Sequence, residues 1–273
     1  MTIEEGVFRA EDGIKLFYRF QAGSRDREPI LLVHGHGEHS GRYLKFFTRL
    51  QDLDHSIATF DLRGCGRSEG IPVYVSQFED YLSDLSTFVR FLIRKFQIRT
   101  SLYLFGHSLG GLIAATWALE RSDTVSKLIL SSPLFGIPLA RPLKMLVNFL
   151  DRVSPRFVIR NPIRPIFLTH DPEEIEKYQK DPLIRRRITI RLVHEMLNYV
   201  TFFQEKEILF RCPVFVLMAE QDFIVDPKAA RQVFQRLQAP VKELVSFPGF
   251  FHEIFNERGQ EKVFERLRYY LGR

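Results

Sequence analysis

The sequence predicts an α/β protein with a mostly parallel, doubly wound sheet and a helical insertion, and three observations carry that reading. Short, uninterrupted apolar runs alternate with amphipathic helical patterns along most of the chain. The alternation then breaks in a proline-punctuated stretch from Pro133 to about Phe203. Finally, 273 residues suffice for one large core plus an insert.

Taken in order, Val7-Phe8-Arg9 and Lys15 to Phe20 flank the turn signal Glu11-Asp12-Gly13 and read as a β-hairpin. Apolar runs follow at Ile30 to Val33, Ser56 to Phe60, Leu102 to Phe105, Lys127 to Leu130, Val214 to Leu217 and Glu243 to Phe247. Each suits a strand covered on both faces. Helical patterns run between them at Tyr43 to Leu53, Phe78 to Phe96, Leu109 to Arg121, Pro227 to Leu237 and Glu261 to Leu271, which implies right-handed crossovers. In the middle, Pro138, Pro142, Pro155, Pro162, Pro165, Pro172 and Pro182 punctuate amphipathic segments such as Leu143 to Leu150 and Pro172 to Gln179, with no convincing strand. The expected organisation is a catalytic core of residues 1–135 and 201–273 with a helical cap of residues 136–200 over the strand ends.

Composition narrows the function classes. Apolar residues at 45% and charged residues at 26% exclude wholesale disorder, and 26 Phe with 9 Tyr hint at an apolar ligand site as well as a core. The net charge of +6 is concentrated in the middle third, where Arg152, Arg156, Arg160 and Arg164 precede Arg185, Arg186, Arg187 and Arg191. Such a surface suits anionic lipid or a membrane face; no nucleic-acid motif accompanies it. Cys65 and Cys212 are too few for a disulfide framework, and Met1 to Gly6 lacks the pattern of a secretion signal. No apolar run is long enough to span a bilayer, so the expectation is a cytoplasmic protein, peripheral to membranes at most.

The chemistry is concentrated in a few loops. Gly106-His107-Ser108-Leu109-Gly110-Gly111 lies between a strand and a helix, the context of a G-x-S-x-G nucleophile elbow, with the Ser108 hydroxyl at the amino end of the helix. A serine hydroxyl needs a base, and with such an elbow the acid and histidine follow in that order. Asp222 sits just past the strand Val214 to Leu217, at a carboxyl strand end. Asp226 competes with it but directly precedes Pro227 and a helix, which reads as an N-cap. His252, after the last strand, is the histidine that remains beyond Asp222. An oxyanion hole would take the backbone N–H of Leu109 and a second from the loop His34-Gly35-His36-Gly37-Glu38-His39, with His36 as donor. The histidines of that loop lack metal-site spacing, and neither metal nor cofactor is expected. In Asp61 to Ser68 the spacing of a phosphate loop is missing; Asp61 and Arg63 read as a buried polar bracket, with Ser68 assisting.

The stretches His34 to Tyr43, Asp61 to Gly70, Gly106 to Gly111, Ser131-Ser132-Pro133, Asp181-Pro182-Leu183, Gln221-Asp222 and His252 resemble the monoacylglycerol lipase and lysophospholipase family of α/β hydrolases, in the family's order over nearly the whole chain. The resemblance implies the α/β-hydrolase fold and a Ser108, Asp222, His252 triad, with oxyanion donors at His36 and Leu109. It also implies a lipid-facing cap and a small-molecule lipid substrate, a fatty-acid monoester of glycerol or glycerophosphate. His36 stands where relatives often carry a small or apolar residue. Two other readings remain beside the lipid ester hydrolase: a short-chain esterase or peptidase of the same fold, and a non-catalytic binding protein.

Overall fold

The computed structural model describes residues 2–272 apart from 122 and 162, so Met1 and Pro162 lie outside the described residues. The chain opens with the hairpin Glu4–Arg9 (β1) and Lys15–Gln21 (β2), paired antiparallel from Glu4 opposite Phe20 to Arg9 opposite Lys15. Ile30–Val33 (β3), Leu44–Arg49 (α1), Ile57–Phe60 (β4), Glu79–Phe96 (α2), Leu102–His107 (β5), Leu109–Glu120 (α3) and Val125–Ser131 (β6) then alternate as the sequence patterns require. Before the sheet resumes come Arg141–Val153 (α4), Val158–Arg160 (β7), Pro172–Lys180 (α5), Arg187–Thr189 (β8) and Ile190–Glu205 (α6). Val214–Ala219 (β9), Pro227–Arg236 (α7), Lys242–Phe247 (β10) and Glu261–Gly272 (α8) complete the chain.

Eight strands form one sheet in the order β1-β2-β4-β3-β5-β6-β9-β10. From β4 to β10 every pairing is parallel; β2 runs antiparallel to β4. The chain winds outward from β3 in two directions, so β3 and β5 are neighbours at the point where strand order reverses. Ligands of open α/β sheets bind outside the carboxyl strand ends at such a point. Here the loops after β3 and β5 are the predicted oxyanion loop and elbow.

Alternate residues of the buried strands feed two cores. Leu31, Val33, Leu104, Leu128 and Val216 pack with α2 and α3, whereas Ile30, Leu32, Phe105, Ile129 and Phe215 pack with α1 and α8. The two helices of the first core show how burial selects sequence. In α2 the buried Leu82, Leu85, Phe88, Val89 and Leu92 make one stripe, with Glu79 and Asp80 in the first turn and Arg94 and Lys95 in the last, as the helix dipole favours. In α3, residues Leu109 to Ala118 are all buried, so the helix is apolar on every side.

Between β6 and β9 the structure departs from expectation in one respect. β7 and β8 form a two-stranded antiparallel ribbon, with Ile159 opposite Ile188 and Arg160 opposite Arg187. Each strand has three residues, and the arginines and Val158 point to solvent, too short and too exposed a pattern to register as a strand. Asp171 caps α5 by accepting from the Glu173 N–H at 3.0 Å, and Thr189 caps α6 by accepting from Leu192 at 3.3 Å.

Candidate active site

Ser108 occupies a strained turn between β5 and α3, with φ 54° and ψ −118°. That conformation is costly for a residue with a side chain and persists only where its surroundings enforce it. Two glycines make the enforcement possible. A Cβ at Gly106 would come 2.3 Å from the Gly110 carbonyl oxygen, and one at Gly110 would come 2.2 Å from that of Val33. The turn is then pinned by backbone bonds: Ser108 donates to the Ser131 carbonyl at 3.0 Å, and its own carbonyl accepts from Gly111 and Leu134, each at 3.0 Å. Leu109 is the first residue of α3, so its N–H is among those a helix leaves without an intrahelical partner.

His252 and Asp222 meet as the sequence predicts. His252 Nδ1 lies 2.7 Å from Asp222 Oδ2, with the two side chains only 3% and 1% exposed. The other carboxylate oxygen accepts from the N–H groups of Ile224 at 2.8 Å and Val225 at 3.0 Å, which fixes its plane. Burial alone would lower the His252 pKa; the Asp222 charge and hydrogen bond, helped by Glu253 and Glu38, outweigh it and raise the value above 6.5. For Asp222 burial works upward, and the imidazole and the two N–H donors reverse it, holding the carboxylate below its usual range. Asp226, the rival, instead caps α7 by accepting from Lys228 N–H at 2.9 Å. The His252 ring lies tilted against that of His107, the residue before Ser108, with centroids 4.8 Å apart, and burial pushes the His107 pKa down to about 4.

The oxyanion loop is held from below by charge. Glu38 Oε1 accepts from Gly35 N–H at 2.5 Å and from Tyr43 hydroxyl at 2.7 Å, and Arg42 bridges Glu38 to Glu253, the neighbour of His252. Burial would raise the Glu38 pKa, but the fields of His107, Arg42 and His34 with the Gly35 bond bring it down to about 2. One ion-paired bracket thus links the oxyanion loop to the histidine loop. Sequence reasoning missed it, although the i,i+4 spacing of Glu38 and Arg42 was a usable signal. The histidines of the loop diverge: His34 Nδ1 lies 2.8 Å from the Gly35 carbonyl and its Nε2 accepts from Leu62 N–H at 2.9 Å, while His39 Nε2 lies 2.8 Å from Asp181 Oδ2. The last contact, with Arg185 N–H donating to the Gly37 carbonyl at 2.7 Å, ties the oxyanion loop to the chain leading into β8.

The expected Asp61 and Arg63 bracket is corrected. Asp61 accepts from Ser40 N–H at 2.8 Å, Ser40 hydroxyl at 2.5 Å and Arg67 N–H at 2.8 Å, whereas Arg63 forks onto Asp84 at 2.7 and 2.6 Å and reaches Asp12 at 2.9 Å. A planar guanidinium finds a two-oxygen partner at Asp84 on α2, while the Asp61 oxygens are already filled by donors from the oxyanion loop and its own turn. Ser68 does assist, donating to the Asp61 carbonyl at 2.5 Å.

Above Ser108 opens an apolar cavity of about 420 Å³, lined by Ser108 and His36 at the catalytic end and by Leu139, Leu143, Leu146, Leu150 and other aliphatic side chains beyond. Ile159, Ile163, Ile188, Val193, Met196 and Ile224 also line it and carried no signal, because they come from the ribbon, from the loop after β7, from α6 and from the loop after β9. Met145 and Phe149, in the same amphipathic segment Leu143 to Leu150, are instead 72% and 61% exposed. The basic run is likewise dispersed: Arg191 pairs with Asp151 at 2.9 Å, Arg156 lies over the Tyr74 ring, and Arg185 is half-buried.

Residues 24–259 match the family model described as serine aminopeptidase, S33. The chain is 31% identical over 254 residues to the monoglyceride lipase of Rattus norvegicus, covering 90% of this chain and 82% of that protein. It is 29% identical over 278 residues to the uncharacterized protein YnbC of Escherichia coli, covering 98% of this chain but 47% of that one, and it spans 25% of another curated relative. Among solved structures, the monoacylglycerol lipase of Paleococcus ferrophilus superposes with a TM-score of 0.82 at 27% identity, covering 99% of this chain and 98% of that chain.

Proposed function

The chain belongs to the serine aminopeptidase S33 family and is an α/β hydrolase of the monoglyceride lipase and lysophospholipase type, and on that premise we propose that it cleaves single-chain lipid esters through an acyl-enzyme. One observation carries the reading: the strained Ser108 opens into a long aliphatic cavity whose described lining holds no carboxylate. An aminopeptidase would need such a carboxylate to hold the substrate ammonium, so the peptidase reading is the weaker. A non-catalytic binding protein would have no use for the strain at Ser108 or the buried His252 and Asp222 pair.

In the proposed reaction His252 Nε2 takes the Ser108 proton as Oγ attacks the acyl carbonyl, while the N–H groups of His36 and Leu109 receive the oxyanion. Collapse breaks the ester bond, and the leaving alcohol takes the proton from His252. Water, deprotonated by the same imidazole, then hydrolyses the acyl-serine and frees the fatty acid. Asp222 holds the ring in its tautomer and stabilises the imidazolium.

The segment from Gly136 to about Val200 serves in this reading as the cap that admits the acyl chain. Its helix α4 turns Leu143, Leu146 and Leu150 inward and Met145 and Phe149 outward, beside Arg141, Lys144 and Arg152, a face suited to lying on an anionic lipid surface. No helix among the described residues is long and apolar enough to cross a membrane, so that contact is peripheral in the proposal. Labelling by a fluorophosphonate, together with turnover of monoacylglycerols, lysophospholipids and p-nitrophenyl butyrate, tests the function. Hydrolysis that stops at the short ester, with no gain from a longer acyl chain, would reduce it to a general esterase.

A further inference from the structure

We propose that the arginine-bearing mouth of the apolar cavity is a subsite for a phosphate, which makes the preferred substrate a monoacyl glycerophosphate rather than a neutral glyceride; this rests on the lipid ester reading above. A second cavity, of about 520 Å³, is lined by Arg160, Asn161, Arg164, Gln179 and three apolar neighbours. It shares Arg160, Asn161 and Ile163 with the apolar cavity, so the two meet at one wall. Neither cavity has an acidic residue in its described lining.

Arg160 and Arg164 are both solvent-exposed at this wall. Arg42 bridges two carboxylates and Arg191 pairs with Asp151, but among the described residues no ion pair engages Arg160 or Arg164. Arg164 lies over the Phe167 ring at 5.3 Å, which orients its guanidinium without neutralising it. Asn161 is buried, and its Nδ2 has no partner although its Oδ1 accepts from Ile163 N–H at 3.1 Å. Unneutralised cations at the rim of an aliphatic chamber suit an anion attached to an acyl chain, and guanidinium forks match phosphate oxygens in geometry.

The subsite is also connected through the backbone to the loop that carries His36. Arg185 N–H bonds the Gly37 carbonyl of the oxyanion loop, Asn161 N–H donates to the Arg186 carbonyl at 3.0 Å, and Arg160 faces Arg187 across the ribbon. The second cavity therefore adjoins the ribbon whose second strand follows the segment bonded to that loop. In the proposal the acyl chain lies among the leucines of α4 with its carbonyl at Ser108, and the phosphate lies between Arg160 and Arg164.

The test compares 1-decanoyl-glycerol 3-phosphate with 1-decanoyl-glycerol, both below micelle formation, in the wild type and in Arg164→Gln and Arg160→Gln. The wild type should favour the phosphate by kcat/KM, and each variant should lower that ratio about 10- to 100-fold, mainly through KM. An unchanged ratio in both variants would overturn the subsite. A binding arm on Ser108→Ala separates this proposal from the one it rests on: calorimetric binding of the decanoyl phosphate that Arg164→Gln abolishes supports the subsite even if turnover is absent and the hydrolase reading fails. Inorganic phosphate binding as tightly as the decanoyl phosphate would assign the arginines to free phosphate and overturn the lipid assignment.

Discussion

The strand ends that carry Ser108, Asp222 and His252 and the segment that covers them are built on opposite principles. At the strand ends the buried carboxylates are held by several donors: Asp222 accepts three hydrogen bonds, Glu38 is shared among a backbone N–H, a tyrosine and an arginine, and backbone meets backbone closely enough to exclude a methyl group. In the covering segment Met145, Phe149, Val153 and Phe157 face solvent, and among the described residues no carboxylate pairs with Arg160 or Arg164. Satisfied polar groups and tight contacts fix a geometry, whereas unsatisfied apolar and cationic surface is what a ligand completes. In the proposed function the first region serves reaction and the second recognition, so damage to each should produce a different kind of defect.

The largest defect should come from the nucleophile. Ser108→Ala should lower ester turnover by on the order of 10⁴- to 10⁶-fold, with the circular dichroism spectrum and decanoyl-ester binding retained. Next comes the acid: Asp222→Asn should cost on the order of 10⁴ in kcat, since an amide cannot hold the His252 tautomer. Asp226→Asn should change kcat less than about twofold, because asparagine caps a helix nearly as well. Measuring kcat and thermal stability of both variants would reverse the assignment if Asp226 proved the costlier.

A defect of the second kind should follow from the outer face of α4. Replacing Met145 and Phe149 with Gln should weaken binding to anionic phosphatidylglycerol vesicles about tenfold or more, as expected for withdrawing two apolar side chains worth about 1.5–3 kcal/mol each when fully buried. Hydrolysis of p-nitrophenyl butyrate in free solution should not change. If vesicle sedimentation is unaltered, α4 is not the surface that meets lipid and the comparison loses half its support.

The same contrast explains what could be read from sequence. β3 to β6 and β9 announced themselves because strands buried on both faces are largely apolar, β10 through Leu244 and Val245 although it is an edge strand only partly buried, and the elbow because a strained turn demands glycine at Gly106 and Gly110. The separation of Asp222 from Asp226 followed from the cap that Pro227 implies. Legibility failed where partners are chosen across long sequence distances. Nothing local told Arg63 to prefer Asp84 over Asp61, and nothing in three-residue strands told Arg160 that it would lie opposite Arg187. Helical periodicity placed Leu143, Met145, Leu146, Phe149 and Leu150 on one helix but could not say which flank met the cavity, since that depends on where α6 packs.

The smallest effect, and the sharpest division between the two regions, lies in the pH dependence. His252 must be neutral to take the Ser108 proton, so kcat/KM should rise with pH through its ionisation. Asp222 raises that ionisation above the ordinary 6.5, and the acid limb should therefore have its midpoint on the alkaline side of 6.5 for a substrate whose chemistry limits the rate. Removing the carboxylate charge leaves burial as the dominant influence, and burial favours the neutral ring. In Asp222→Asn the midpoint of His252 should accordingly move downward, to below about 6.5, as followed by the imidazole proton resonances where turnover is too slow to use. The α4 variants, which touch neither ring nor carboxylate, should keep the wild-type midpoint while losing vesicle binding. A midpoint that shifted with Met145 and Phe149 would mean that the covering segment sets the dielectric around His252, and that recognition and reaction are not separately built.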